Sequence, residues 1–178
     1  MRETAYKSPV ITIGSVPLGG NHPVRIQSMT TSNTRDVEAT VAQIIRLADS
    51  GCEIARVTVQ GKKEAEACEG IKNGLLKKGY SIPLVADIHF YPPAAMLVAE
   101  FADEYNVPFA DVDTARDLNA NIDAVLDGHG RERSSVIRSV AQVLCVGSDE
   151  PEIARRAHVI GREVDELRSN GLAGTPDE

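Results

Sequence analysis

The 178-residue sequence holds only three cysteines, Cys52, Cys68 and Cys145, and no two of them form a Cys-x-x-Cys pair. That scarcity argues against a disulfide framework and against a zinc or cluster site built from these thiols, and it fits a reducing cytosol. Long apolar runs are missing as well. No stretch of 18 apolar residues occurs and no charged-then-apolar leader opens the chain, so neither membrane insertion nor export is expected, and the cytoplasm is the default. Positive charge is also short: the net charge is -7. Neutralising a nucleic-acid backbone takes a clustered basic face, which this chain lacks, although local basic groups remain for a small anion.

What is present is enough apolar material, 42% of residues, to bury a real core. Its pattern predicts strands and helices in strict alternation. A short hairpin at Pro9–Ile13 and Ser15–Leu18, broken at Gly14, covers one end of a barrel. Strands follow at Val24–Ser28, Ile54–Val59, Leu84–Ile88, Tyr105–Phe109 and Val136–Val146. Helices are expected at about 35–50, 62–78, from Pro92 and Pro93 onward, at 112–126 and at 150–170, with glycines 51, 79, 128 and 171 as stops. The fold class is therefore α/β: a partial (β/α) TIM-type barrel of about five βα units, with right-handed crossovers and a parallel sheet. A complete eight-fold barrel takes about 250 residues. The last residues, Thr175-Pro176-Asp177-Glu178, read as a helix start with no helix after it, so the expectation is a piece of something longer.

Polar groups gather at the carboxyl ends of the first three barrel strands, where a parallel α/β fold exposes functional groups without disturbing its core. Gln27, Ser28, Met29 and Thr30 offer an amide, hydroxyls and a thioether ahead of a helix N-terminus, a combination that suits a phosphate or polyol. Ser28, Thr30 and Thr34 also fit as plain caps and turns. Arg56 stands inside an apolar strand, where its permanent charge is costly unless it meets a carboxylate or phosphate. Asp87 and His89 alternate with Ile88 and so share one face, where a carboxylate can orient an imidazole, accept hydroxyls or help move a proton; a structural pair is the other reading. His22, His129 and His158 lie in turns or on a charged helix and carry no assigned role. The arginines at 155, 156, 162 and 168 alternate with acids, the pattern of a solvated face.

At these residues the chain resembles a known family. Gly14–Pro23, Gln27-Ser28-Met29-Thr30, Thr34–Thr40, Arg56–Gly61 and Leu84–Phe90 are similar, in order and spacing, to the N-terminal barrel of 4-hydroxy-3-methylbut-2-enyl diphosphate synthase, over residues about 11–103. Gln60–Ala65 resembles the long plant and chlamydial variety. The resemblance implies an oxidoreductase of non-mevalonate isoprenoid biosynthesis that opens the ring of a cyclic methylerythritol diphosphate. It implies substrate-binding roles for Gln27, Ser28, Met29 and Arg56, with Arg56 on the diphosphate and Met29 lining the pocket. Asp87 and His89 would do the catalytic work, positioning the ring and its oxygens. The family's 4Fe-4S cluster sits on a C-terminal domain that has no counterpart here, so no cofactor is expected on this chain. Ferredoxin or flavodoxin would be a partner only with that domain present. A plant-like parent would place it in the plastid stroma.

From about residue 101 onward, Phe101–Phe109 and Asn170–Pro176 are instead similar to luciferase-like, deazaflavin-dependent oxidoreductases. Two segments are thus expected, 1–103 and 104–178, joined at the change in resemblance. A deazaflavin-dependent fragment and a non-catalytic barrel scaffold are the rival readings. With open strand edges, a homo-oligomer is expected; no nucleic-acid or membrane partner is.

Overall fold

A computed structural model describes residues 7–89, 91, 93–108, 112–141 and 143–177. Phe90, Pro92, Phe109, Gln142 and Glu178, which figure in the expectations above, lie outside the described residues. The chain divides into two compact units, Met1–Val107 with Asn121–Ser139, and Pro108–Ala120 with Val140–Glu178.

The first unit opens with an antiparallel hairpin, β1 (Ile11–Ile13) and β2 (Val16–Leu18), turned at Gly14. Gly14 has φ +56°, and a Cβ there would come within 3.0 Å of the Pro83 ring, so a residue without a side chain suits this turn. Then come β3 (Gln27–Met29), α1 (Val37–Asp49), β4 (Ile54–Val59), α2 (Lys62–Lys77), β5 (Leu84–Ile88) and α3 (Ala94–Val98). β6 (Glu104–Pro108), α4 (Val112–Gly128), whose residues 112–120 fall in the second unit, and β7 (Ile137–Ala141) follow. The sheet order is β3-β4-β5-β6-β7, with β3 to β6 paired in parallel. This is the expected α/β architecture with its N-terminal hairpin; among the described residues the sheet does not close into a barrel.

Register divides the sheet into two faces. Ala55, Val57 and Val59 of β4 and Leu84, Ala86 and Ile88 of β5 are fully buried, and α1 and α2 pack against β4 while α3 packs against β5. Burial of these branched side chains at about 25 cal/mol per Å² is the main stabilising contribution of the unit. The other face is apolar only at the amino ends of the strands. There Ile13 of the hairpin joins Ile54 and Val85, with Val16, Leu18 and Ile137 packed around them. Arg25 fastens the hairpin to the sheet, donating to Pro17 O and to Glu53.

The structure departs from the sequence reading in several places. The first barrel strand is three residues rather than five: the Glu53 carboxylate takes the Ile26 N–H, and Val24 is left 95% exposed. Helix α1 starts at Val37 because Asp36 caps it, accepting from Ala39 N. Helix α3 is five residues long, and Met96 and Phe101 are half-buried.

In the second unit, the strand expected at Val136–Val146 becomes two. β8 (Leu144–Val146) pairs in parallel with an unforeseen β9 (Leu172–Gly174). The helix expected over 150–170 is α5 (Glu150–Val159) and α6 (Val164–Asn170). Gly161, at φ +69°, ends the first by adopting the left-handed conformation that terminates helices. Cys145, Ile153, Ala157 and Leu167 form the core of this unit.

Candidate functional site

On the face away from the helices, β4 sets its even residues beside the odd residues of β5. Arg56 and Thr58 alternate with the buried valines of β4, and the register places Thr58 opposite Asp87. The Asp87 carboxylate then serves two groups at once. Its Oδ1 lies 2.7 Å from Arg56 Nη2 and its Oδ2 lies 3.1 Å from His89 Nε2. Exposure rises outward through this set: the Asp87 side chain is 6% accessible, Arg56 32% and His89 41%. A buried carboxylate thus holds a guanidinium and an imidazole at the open, carboxyl end of the strands. His89 is fixed by its backbone too, donating N–H to Val59 O at 2.9 Å.

Register brings two more of the expected residues to this face. Gln27 stands opposite Ile54, and Met29 stands opposite Arg56 with its side chain partly open to solvent. Ser28 does not join them. It pairs with Ala55 and so belongs to the helix-covered face, because successive strand residues alternate sides.

The hydroxyls beyond β3 divide between roles. Thr34 Oγ1 donates to Thr58 O at 2.8 Å, tying the loop to the end of β4, while Thr30 N–H donates to Arg56 O. Gln43 of α1 clamps the same loop, accepting from the N–H groups of Thr31 and Ser32. Thr30 Oγ1 and Arg56 Nε are buried with no hydrogen-bond partner among the described residues. A polar cavity of about 550 Å³ opens here, between the loop, Thr58, Gln60 and the first turn of α2.

Three groups escaped the sequence reading. Glu64 is buried at the rim of this cavity; burial opposes its charge, but the N–H groups of Glu64 and Gly61 and the Arg35 guanidinium, 2.5 Å away, together hold its carboxyl below the ordinary range. Thr58 and Asn106 share the open face with Asp87, and Asn106 donates to Ser139 Oγ at 3.2 Å. The period-two alternation of β4 and β6 was the available signal for both. The remaining histidines and the 155–168 arginines keep the surface positions assigned to them: His22 and His158 are exposed, His129 pairs with Glu100, and Arg156 and Arg162 pair with Glu152 and Glu166 at i, i+4 spacing.

The thiols do not fit an iron–sulfur cluster. Cys68 is buried in α2, where desolvation and then the charge of Glu64 push its pKa up to about 12. Cys145 belongs to the second unit's core and Cys52 is half-buried. Among the described residues no three His, Cys, Asp or Glu side chains gather to hold a metal.

The GcpE TIM-barrel domain family matches residues 8–138. The chain belongs to this family. Within it, the chain is 70% identical over 98 residues to the 4-hydroxy-3-methylbut-2-en-1-yl diphosphate synthase (flavodoxin) of Protochlamydia amoebophila, covering 55% of this chain and 15% of that protein. It is 55% identical over 101 residues to the chloroplastic, ferredoxin form of rice, covering 57% and 14%. With the chloroplastic, ferredoxin form of Arabidopsis thaliana it shares 47% identity over 126 residues, covering 71% and 17%. These GcpE-family relatives are chlamydial and plant proteins, the variety to which Gln60–Ala65 pointed, and the chain spans no more than 17% of their length. The family match runs past residue 103, and the luciferase-like resemblance of residues 101–178 has no support among these matches. No helix among the described residues is long and apolar enough to cross a membrane.

Proposed function

We propose that this chain carries part of the substrate site of a 4-hydroxy-3-methylbut-2-enyl diphosphate synthase, the enzyme that reductively opens a cyclic methylerythritol diphosphate in non-mevalonate isoprenoid biosynthesis. The observation that carries the proposal is the bridging of Arg56 and His89 by one buried carboxylate, Asp87, at the carboxyl ends of adjacent strands. Arg56 binds a diphosphate oxygen, the charge-assisted contact for which a permanently ionised, planar group is suited. Asp87 keeps both neighbours in place and accepts from a ring hydroxyl. His89 lies at the mouth, where it hydrogen-bonds an oxygen of the opening ring. Met29 and Gln27 line the side of the pocket formed by β3, and Ser28, on the other face, supports them from behind.

The family's 4Fe-4S cluster supplies electrons from a separate domain, and the residues here give it no ligands. On this reading the chain binds substrate and needs the rest of the protein, with the ferredoxin or flavodoxin of its relatives' names, for turnover, in a bacterial cytoplasm or plastid stroma. The segments 1–103 and 104–178 are proposed as a barrel portion and a following portion, with the family match continuing from the first into the second as far as residue 138.

Calorimetric titration with cyclic methylerythritol diphosphate tests the binding claim. The parent chain binds; Arg56→Ala loses about 2–3 kcal/mol of affinity, as expected for truncating a charged partner, and Arg56→Lys falls between them. Absence of binding by the parent overturns the proposal.

A further inference from the structure

We propose that the groove between α2, α3 and α4 is a docking surface for a basic amphipathic helix of a partner polypeptide. It lies in the helical layer, on the side of the sheet away from Arg56 and Asp87, and is independent of the substrate reading.

That layer is uneven. α2 runs 16 residues, whereas α3 has five. At 1.5 Å per residue, α3 covers about 7.5 Å where α2 covers about 24 Å. The layer therefore thins beside α2, and a cavity of about 520 Å³, bounded on its other side by Val125 and His129, lies there. Met96, Leu97, Phe101 and Val125 make its apolar floor, and Leu97 is 38% exposed. An apolar trough flanked by helices receives another helix by its i, i+3, i+4 and i+7 side chains, and a methionine in the floor adapts to their shape.

The rim gives the sign of the partner. Glu66, Glu69 and Glu100 stand around the apolar floor. Glu66 is met by Lys62 at 3.5 Å, in an exposed pair that neutralises little, and Glu100 is met by His129 at 3.2 Å. Glu69 has no ion-pair partner among the described residues. Three carboxylates around a hydrophobic slot complement lysines or arginines flanking an apolar helix face, and repel an acidic one.

The probe is a synthetic helical peptide of about 15 residues, with leucines on one face at i, i+3, i+4 and i+7 and lysines beside them, titrated by fluorescence anisotropy against the full chain. Saturable one-to-one binding is expected. Leu97→Asp and Glu69→Lys each weaken it by roughly tenfold, with far-UV circular dichroism unchanged; Glu69 is exposed, so its variant tests the rim even if Leu97→Asp unfolds. Asp177→Lys, which changes the net charge as much as Glu69→Lys does, leaves affinity within about twofold. Equal weakening by Asp177→Lys reduces the effect to bulk charge and overturns the proposal. So does unsaturable binding, or self-association of the chain that Leu97→Asp abolishes, which would make a second copy the occupant.

Discussion

Asp87 and Arg56 differ in what each leaves behind when removed. Without Arg56, the Asp87 carboxylate stays buried with only the His89 imidazole to balance it; without Asp87, the one-third-exposed guanidinium turns to water. Arg56→Ala is therefore expected to cost about 2–3 kcal/mol of stability, below the range for a fully buried pair because the site is partly open. Asp87→Ala should cost less, about 1 kcal/mol. Urea unfolding of the two variants checks the order, and a larger loss in Asp87→Ala would contradict this account of the site. At this scale the sequence was informative, since an arginine in an apolar strand and an acid two residues from a histidine are each unusual. What it could not show was that one carboxylate serves both partners, because that depends on the β4–β5 register.

Among the elements, α1 and α2 meet through a device of small residues. Gly70 and Gly74 of α2 lie under Val37 and Val41 of α1: a Cβ at Gly70 would come within 3.2 Å of Val37, and one at Gly74 within 2.9 Å of Val41. Alanine normally stabilises a helix interior by up to about 1 kcal/mol over glycine. Gly74→Ala reverses that gain, since Val41 is buried and cannot give way, and a net loss of about 1–2 kcal/mol is expected. Thermal melts compare it with Gly70→Ala, which should be close to neutral; equal gains in both would show that the helices separate freely.

In the second unit, Glu152 closes the α5 cap. The N–H and then the hydroxyl of Ser148, followed by Arg156, hold its pKa down at about 2. A carboxyl lowered on folding stabilises above its unfolded value, near 4.5, and that contribution is lost as pH falls toward 2. Glu152→Gln should therefore flatten the fall in melting temperature between pH 5 and pH 2, and an unchanged slope would count against the cap. A cap of this kind is legible in a sequence, since Asp149 and Glu152 stand three residues apart in the capping-box relation. The break at Gly161 is not, because a glycine within a periodic run marks a stop only when tertiary packing turns the chain there.

For the whole molecule, the α/β class, the hairpin and the parallel sheet followed from alternation and turn residues. The division of 136–146 between two sheets did not, since an apolar run carries no record of which partner strand it will meet. The five-stranded sheet ends on β3 and β7, and beside β3 Val24 and Ile26 are exposed. Parallel sheets in water seldom leave an edge uncovered. Sedimentation velocity of the isolated chain should show association that grows with concentration, and a strictly monomeric species over the whole range would contradict it.

The claim on which the functional account rests is that Arg56, held by Asp87, contacts a diphosphate. Phosphorus NMR of cyclic methylerythritol diphosphate reads that contact directly as the chain is added. Saturable shifts or broadening of its two resonances are predicted with the parent, lost in folded Arg56→Gln and retained in Arg35→Gln. Signals that do not respond to the parent, or respond equally to Arg56→Gln, would contradict the account.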